Sequence, residues 1–465
     1  MNGSHDLVVL GAGPAGLAAA WRAARRGLKV TLLERADRVG GLAGSFEVGG
    51  VRVDHGSHRL HPATPARVLT DLRSLLGDDL QTRPRNGRLR VAGSWVGFPL
   101  KGGELARKLP APLVAKVARD VATGPLRRVR QDTYAGVLRA GLGETLYDTV
   151  YGPYAEKLWG LPGNRISSVQ ARRRVSADTG WKIAARLLRG NHGDGQGHVF
   201  HYPRDGFGQI VDALADAAAS AGAEIRLEAE VDSVKVFEDE VVVTTQDGDL
   251  VSAGRAFSTL PLPVLARISR PAPSLADIES ASRLRFRAML LVYVVHGGGR
   301  WTSYDAHYIP GPETPITRIS EPANYRVSAD DPTDRSVLCA EIPCAMTDEV
   351  WGLDDESLAD LVDEALARTG LPPVNRLHVE TRRLGQVYPV YRVGFEDDLA
   401  GVDSWARMLR RVVTFGRQGL FAHDNTHHAL VMAYDAVDAL RDDGRFDRYA
   451  WTAARERFDR HVVED

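Results

Sequence analysis

Gly11-Ala12-Gly13-Pro14-Ala15-Gly16 stands between the apolar run Leu7-Val8-Val9-Leu10 and the helix-like stretch from Ala15 to Arg26, and its reading decides the fold. The run before it suits a buried parallel strand. In a GxGxxG turn the first glycine permits the tight bend. The second lets backbone approach a pyrophosphate, and the third lets helix and strand pack closely. The pyrophosphate then sits on the helix N-terminus, where unpaired N–H groups and the dipole favour negative charge. Gly27 stops the helix, and Lys29 to Leu33 forms the next strand. Glu34 ends that strand 18 residues past Gly16, the position from which an acid reaches a ribose. The stretch is a βαβ dinucleotide-binding unit, so the expected fold class is α/β with a Rossmann-like domain. The bland alternative is a glycine-rich turn with nothing bound.

The next segment chooses among dinucleotides. Arg38-Val39-Gly40-Gly41-Leu42-Ala43-Gly44-Ser45 resembles the second glycine motif of the amine-oxidase-like FAD superfamily. In that superfamily the loop runs beneath the cofactor, and NAD dehydrogenases generally lack it. Far along the chain, Gly416-Arg417-Gln418-Gly419 precedes a helix and resembles the closing FAD motif of the same superfamily. A helix N-terminus placed there would stabilise negative charge on the reduced ring. The resemblance implies FAD as cofactor, held by Gly11, Gly13, Ala15, Gly16, Glu34, Arg38, Gly40, Gly41, Leu42, Val231, Gly416, Arg417, Asn425 and Thr426. It also implies a discontinuous FAD domain made of residues 1–75, 200–265 and 395–465. A mostly helical insert would cover 76–199, and a β-rich substrate segment 266–394.

Several motifs in order along the whole chain resemble UDP-galactopyranose mutases, most closely the larger, eukaryote-type members. Asp54-His55-Gly56-Ser57-His58 is similar to the flavin-side histidine loop, and Trp95-Val96-Gly97-Phe98-Pro99-Leu100 to an aromatic-proline segment. Tyr151-Gly152-Pro153-Tyr154-Ala155-Glu156-Lys157-Leu158-Trp159 resembles the Tyr…Lys-x-Trp motif, with Arg173-Arg174-Val175 after it. Tyr202-Pro203-Arg204-Asp205-Gly206-Phe207-Gly208, Thr317-Arg318-Ile319-Ser320-Glu321 and Gln386-Val387-Tyr388-Pro389 complete the series. The resemblance implies that Arg174 and Arg318 hold a substrate diphosphate, that Tyr308 and Tyr388 lie near it, and that His58 lies by the flavin. Guanidinium forks fit phosphate oxygens bidentately. The plain alternative for either arginine is a surface salt bridge.

One position departs from the family. His423 stands where the mutases carry a tyrosine, in His423-Asp424-Asn425-Thr426-His427-His428. The histidines His423, His427 and His428 are not at metal-like spacing with an obvious carboxylate partner, so no metal site is expected. A different substrate contact at His423, or helix capping by Asp424, Asn425 and Thr426, is the expectation instead.

Three functions stay open at this level. The first is a mutase-like flavoenzyme, in which reduced flavin N5 would be the nucleophile that rearranges a nucleotide-diphosphate sugar. The second is an FAD-dependent oxidoreductase of the same superfamily, acting on an amine, a porphyrinogen or a polyene, with hydride transfer to flavin N5. Ser258-Thr259-Leu260-Pro261 resembles a segment those enzymes share. The third is a flavin-binding protein without turnover.

Composition narrows the rest. Across 465 residues, 59 basic and 60 acidic side chains leave a formal charge of -1, so no global field draws the chain to nucleic acid or an anionic bilayer. Cys339 and Cys344 make neither a disulfide framework nor a CxxC pair, which points to idle thiols in a reducing cytoplasm. No stretch reads as a signal peptide or a transmembrane span. The basic, helical stretch from Arg107 to Arg130 reads as a solvated face. Val231 to Phe237 and Val241 to Thr245 alternate as a hairpin around Glu238–Glu240, and Met289 to Val295 and Ser336 to Glu341 read as strands.

Overall fold

A computed structural model describes residues 5–98, 102–124, 127, 129–174 and 199–463. Pro99, Leu100 and Val175 of the motifs above lie outside the described residues.

The first strand is His5–Leu10, and it lies at the heart of an eight-stranded sheet. It pairs in parallel with Val30–Leu33 on one side and with Leu250–Ser258 on the other, so that Leu10 faces both Leu33 and Ser258. Unbroken apolar sequence explains the placement: Leu7, Val8, Val9 and Leu10 are all buried, as a strand covered on both faces requires. Glu224–Arg226 extends the sheet beyond Val30–Leu33, and Val412–Thr414 adds in parallel to Leu250–Ser258. The alternating stretch at 231–245 is an antiparallel hairpin, with Val236 opposite Val241.

Helix Pro14–Arg25 covers one face, packed between Gln209–Ser220 and Thr426–Asp438. Six of its 12 residues are alanine and nine are buried, which lets its neighbours come close. The opposite face is filled by Leu262, Leu265, Phe395, Val402 and Trp405.

A second, seven-stranded sheet is built on the long antiparallel strands Phe286–Gly297, Arg335–Cys344 and Arg376–Pro389. Helix Asp355–Thr369 seals its outer face through Leu358, Val362 and Leu366. The hairpin Ser45–Val48 and Val51–Asp54 packs Phe46 and Val53 on its inner face, against Met289, Leu291 and Tyr293. Here the expected boundaries blur. Gly87–Val91 and Ser94–Phe98 fall within the stretch read as a helical insert, yet they join this sheet through Ala306–Tyr308. Short strands beside Gly93 carry little periodic signal, and pairing with a distant edge supplies their stability.

The described helices of the insert carry a separate small core of Tyr134, Leu138, Tyr147, Leu158 and Trp159. Helix Ala111–Thr123, from the basic stretch, buries none of its residues. Among the described residues no helix is long and apolar enough to cross a membrane.

Candidate active site

The cradle around the first glycine turn is made of backbone. Gly11 turns at φ +98° and donates its N–H to Leu33 O at 2.8 Å. A Cβ on Gly16 would stand 1.9 Å from Gly11 O, so the helix meets the strand closer than any side chain permits. A Cβ on Gly13 would meet nothing within 4 Å, so this glycine borders open space instead of filling a packing contact. The second glycine loop comes up from below. Gly40 donates its N–H to Ala12 O at 2.8 Å, and a Cβ on Gly41, at φ +53°, would lie 3.4 Å from Gly13 Cα. The closing segment is as near: a Cβ on Gly416, at φ +80°, would lie 3.1 Å from Ala15 Cβ. Leu42 is half-buried against the core beneath the second sheet. Three segments that are remote in sequence thus meet around Gly13, with the N-terminus of helix Pro14–Arg25 aimed at the space between them. That is the shape and polarity a pyrophosphate needs.

Glu34 stands beside this space and helps to form it. Its Oε2 accepts the Ala12 N–H at 2.8 Å and its Oε1 accepts the Ala36 N–H at 3.0 Å. The carboxylate keeps further lone pairs for ribose hydroxyls. Ala229 donates its N–H to Glu34 O at 2.8 Å, which places Val231 two residues beyond that contact. Arg38 is placed differently: it is exposed and pairs with Asp37 at 3.0 Å. Asn425 and Thr426 form the start of helix Thr426–Asp438. Asn425 is its N-cap, in a capping box closed by the His428 side chain, which accepts the Asn425 N–H at 3.2 Å. Capping by this segment is therefore present, and Asn425 supplies it.

The loop from Asp54 to His58, expected beside a flavin, is fixed from the second sheet. Gly56 turns at φ +88°, and Ser57 donates its N–H to Glu341 Oε1 at 2.8 Å. Ser57 Oγ also hydrogen-bonds the Tyr325 hydroxyl. His58 Nε2 lies 3.0 Å from His55 O, and its ring stacks on Phe207 at 5.2 Å. Burial lowers the His58 pKa below the usual imidazole value, so the ring is neutral near pH 7.

Opposite that loop is an array of side chains. Arg318 makes a bidentate pair with Glu341, Nε donating to Oε1 at 3.0 Å and Nη2 to Oε2 at 2.8 Å, and reaches Ser57 O at 3.4 Å. Burial alone would lower its pKa; the Glu341 carboxylate outweighs that and holds the guanidinium charged. Arg318 also lies over the Tyr308 ring at 5.5 Å. Arg174 approaches His423 Nε2 at 3.4 Å and the Trp159 ring at 5.4 Å. Tyr388 lies near both arginines. Its ring stacks on His423 at 5.2 Å, and Arg417 covers it at 5.1 Å. Burial raises the Tyr388 pKa, and the charges of Arg318, Arg417 and Arg174 all act on its hydroxyl. Burial, with Arg174 and Arg417 close by, pushes the His423 pKa far down. Three side chains around His423 hold buried polar atoms with no hydrogen-bond partner among the described residues: Trp159 Nε1, Gln170 Oε1 and Arg417 Nε. Each costs about 1–3 kcal/mol unless a ligand or water meets it.

Sequence reading passed over several members of this array. Glu341 is an acid within the apolar run Val337 to Ile342, and that interruption was its available signal. Arg59 donates to the Tyr308 hydroxyl at 3.0 Å and pairs with Asp305 at 3.1 Å, while lying 4.8 Å from the Tyr325 ring. Gln170 donates to His423 Nδ1 at 3.2 Å. Neither bears a sequence mark that separates it from other polar residues. Lys157 of the Tyr…Lys-x-Trp motif is a tie between regions. Its ammonium donates to Ile309 O, Gly311 O and Ile316 O at 2.6, 2.7 and 2.8 Å.

The profile of the flavin containing amine oxidoreductase family matches residues 14–431. A neurosporene-forming phytoene desaturase of Rhodobacter capsulatus is 28% identical over 268 residues, covering 51% of this chain and 48% of that protein. A coproporphyrinogen III oxidase of Propionibacterium freudenreichii subsp. freudenreichii is 25% identical over 469 residues, covering 87% and 85%. The match to the desaturase thus spans about half of that relative's length. A crystal structure of reduced UDP-galactopyranose mutase superposes with a TM-score of 0.81 at 20% identity, over 99% of this chain and 100% of the other, which shows a shared fold. The chain belongs to the flavin containing amine oxidoreductase family and is an FAD-dependent flavoenzyme.

Proposed function

We propose that this member of the flavin containing amine oxidoreductase family rearranges a nucleotide-diphosphate sugar, in the manner of the mutases it resembles in fold. One observation carries the reading: Arg174, Arg318 and Arg417 converge on Tyr388, at one buried face beside the flavin-side loop. A concentration of three guanidiniums suits a diphosphate, whose oxygens accept paired N–H bonds. An apolar polyene or a cationic amine gains nothing from it.

FAD would be held by the glycine segments around Gly13, with Glu34 at the ribose and the helix Thr426–Asp438 at the far end. Reduced FAD supplies the nucleophile for such a rearrangement. The chain's own part is positional. Arg174 and Arg417 bind the diphosphate from the helical and closing segments. Arg318 binds it from the second sheet, aimed by Glu341, which also holds Ser57 and so ties the diphosphate site to the flavin-side loop. Tyr308 and Tyr388 wall the space between. His58, neutral and stacked, offers hydrogen-bonding capacity without adding charge. Trp159, Gln170 and Arg417 give the orphaned polar atoms that a sugar hydroxyl or phosphate would meet.

The second reading is oxidoreductase chemistry, favoured by curated relatives that include a desaturase, a porphyrinogen oxidase and a putative monoamine oxidase. Titration with UDP, dTDP and GDP separates the two readings, with flavin absorbance followed in dithionite-reduced and oxidised enzyme. The expected result is a saturable perturbation, stronger in the reduced state. No response to any of the three nucleotides transfers the assignment to an oxidoreductase acting on an apolar substrate.

A further inference from the structure

At one corner of the first sheet, arginine side chains gather with few carboxylates to neutralise them. Helix Phe395–Met408 ends there, strand Val412–Thr414 begins, and helix Arg448–Phe458 starts beside them. Arg448 donates from Nη1 to Arg407 O at 3.1 Å and from Nη2 to Arg410 O at 3.0 Å. Arg255, from strand Leu250–Ser258, donates from Nη1 to the same Arg410 O at 3.2 Å. One carbonyl oxygen thus holds two guanidiniums against their mutual repulsion. A third, that of Arg411, donates to Gly254 O at 3.0 Å, beside Arg255 in the chain. The Arg410 side chain is exposed and makes no hydrogen bond or ion pair among the described residues.

Carboxylates answer only part of this charge. Asp403 pairs with Arg407 at 2.7 Å but is shared with Arg455 at 2.8 Å, and Asp239 approaches Arg411 at 3.6 Å. Asp447, which precedes Arg448, is taken by Arg441 at 2.7 Å and by the Ala450 N–H at 2.9 Å. Among the described residues, Arg255, Arg410 and Arg448 have no carboxylate partner. Arg255 is the costly member, because it is 9% exposed and lies over the Phe446 ring at 5.0 Å. Burial first, then Arg411 and Arg448, pulls its pKa down to about 10, so it stays charged near pH 7. Buried charge is normally paired, and here the counter-ion is missing. A depression of about 700 Å³ opens between Arg407, Met408, Arg410 and Arg448, with room for a phosphate group. The formal charge of -1 over the whole chain hides this local excess.

We propose that this corner binds a phosphate group, gripped by Arg410 and Arg448, with the buried Arg255 adding to the field behind them. Arg410 offers an unengaged fork, and Arg448 keeps the N–H bonds that its two carbonyl contacts leave over. Phosphate oxygens accept such paired, charge-assisted bonds, and a dianion offsets two guanidiniums where a carboxylate offsets one. A free phosphate ion and a phospholipid headgroup present the same oxygens. Met408 and Tyr449, 70% and 89% exposed beside the arginines, are side chains that a lipid surface would also accept. Bound phosphate joins the end of helix Phe395–Met408 to the start of helix Arg448–Phe458, so it stabilises the folded chain. The inference stands on this corner alone and does not depend on the reaction proposed above.

The test uses full-length, flavin-loaded protein in two arms. In one, inorganic phosphate replaces chloride at constant ionic strength while the thermal midpoint is read. In the other, the protein is sedimented with vesicles of phosphatidylcholine, with and without phosphatidic acid. A saturable rise in midpoint assigns a soluble phosphate. Co-sedimentation confined to vesicles with phosphatidic acid assigns a lipid headgroup. Arg410→Gln should weaken either response by about 10-fold or more. The same variant should raise the midpoint in phosphate-free buffer, because a repelling charge is gone, which separates a lost site from a lost fold. Phosphate held at the Tyr388 face is common to wild type and Arg410→Gln, so the difference between them reports this corner. No response in either arm, a rise that chloride reproduces, or a response unchanged in Arg410→Gln overturns the proposal.

Discussion

At Gly13, Gly41 and Gly416 the cradle is made of main chain, and what matters is where no side chain stands. At Tyr388 the opposite face is made of side-chain ends carried by four remote segments, and what matters is which charges converge. The two regions should therefore fail differently. A side chain added to the cradle changes occupancy by excluding the cofactor. A side chain removed from the arginine face leaves a charge without its partner.

The largest expected effect is at the cradle, and it splits two glycines. Gly13→Val should give a folded protein without flavin, because its side chain enters open space that the pyrophosphate needs. Gly16→Val should damage the fold as well, since its Cβ would collide with Gly11 O at 1.9 Å. Flavin absorbance together with thermal unfolding distinguishes the two; a fully yellow Gly13→Val protein would remove the cradle assignment.

Next comes Arg318→Ala. It leaves the Glu341 carboxylate buried without its partner, at a cost of about 3–5 kcal/mol in stability. It should also weaken nucleotide binding by about 1.5–3 kcal/mol, or roughly 10–150-fold in Kd, while flavin stays bound. Adding Glu341→Gln to it should restore most of the stability and none of the nucleotide affinity. If both recover together, Arg318 acts only through Glu341.

A smaller effect is expected with pH in the second sheet. Burial, then Arg88, pulls the His307 pKa from its ordinary 6.5 to about 3. The folded state then binds fewer protons than the unfolded chain between those values. Stability is complete above pH 6.5 and declines as pH falls towards 3, with a slope approaching about 1.4 kcal/mol per pH unit. Denaturant unfolding of His307→Gln across this range should show a flatter acid limb, with the cradle's flavin content unchanged.

The smallest is His423→Ala. Its contacts to Gln170 and Arg174 are 3.2 and 3.4 Å, so nucleotide affinity should fall by only about 1 kcal/mol. A loss as large as that of Arg318→Ala would make His423 a principal ligand of the diphosphate.

The contrast also explains what could be read from the chain before its structure. The cradle was legible because glycine identity encodes a backbone requirement directly: Gly11, Gly40, Gly41 and Gly416 all adopt positive φ, and Gly16 answers a collision. The hairpin at 231–245 and the strands at 289–295 and 336–341 were legible through their own patterning. The arginine face was legible only in part. Arg174 and Arg318 stood out by family resemblance, and Glu341 only as the acid that interrupts Val337 to Ile342, whereas Arg59 and Gln170 act through partners 249 and 253 residues away and nothing local marks them. Arg38, in the same telling motif, pairs with its neighbour Asp37 at the surface. The His461 contact to Asp424 joins residues 37 apart with no shared pattern, which is why the closing histidines looked solitary in sequence.

One consequence of the cradle concerns its timing during synthesis. Its first wall contains Gly11 and its last contains Gly416, and helix Pro14–Arg25 packs on Thr426–Asp438, formed about 400 residues later. At roughly 5–20 residues per second, a ribosome leaves the first glycine loop without its final wall for roughly 20–80 s. If the cradle holds flavin, it cannot enclose it until the Gly416 segment and helix Thr426–Asp438 have been made. Cells short of flavin should therefore accumulate full-length, uncapped chains, and the closing segment is the part that proteases would find open.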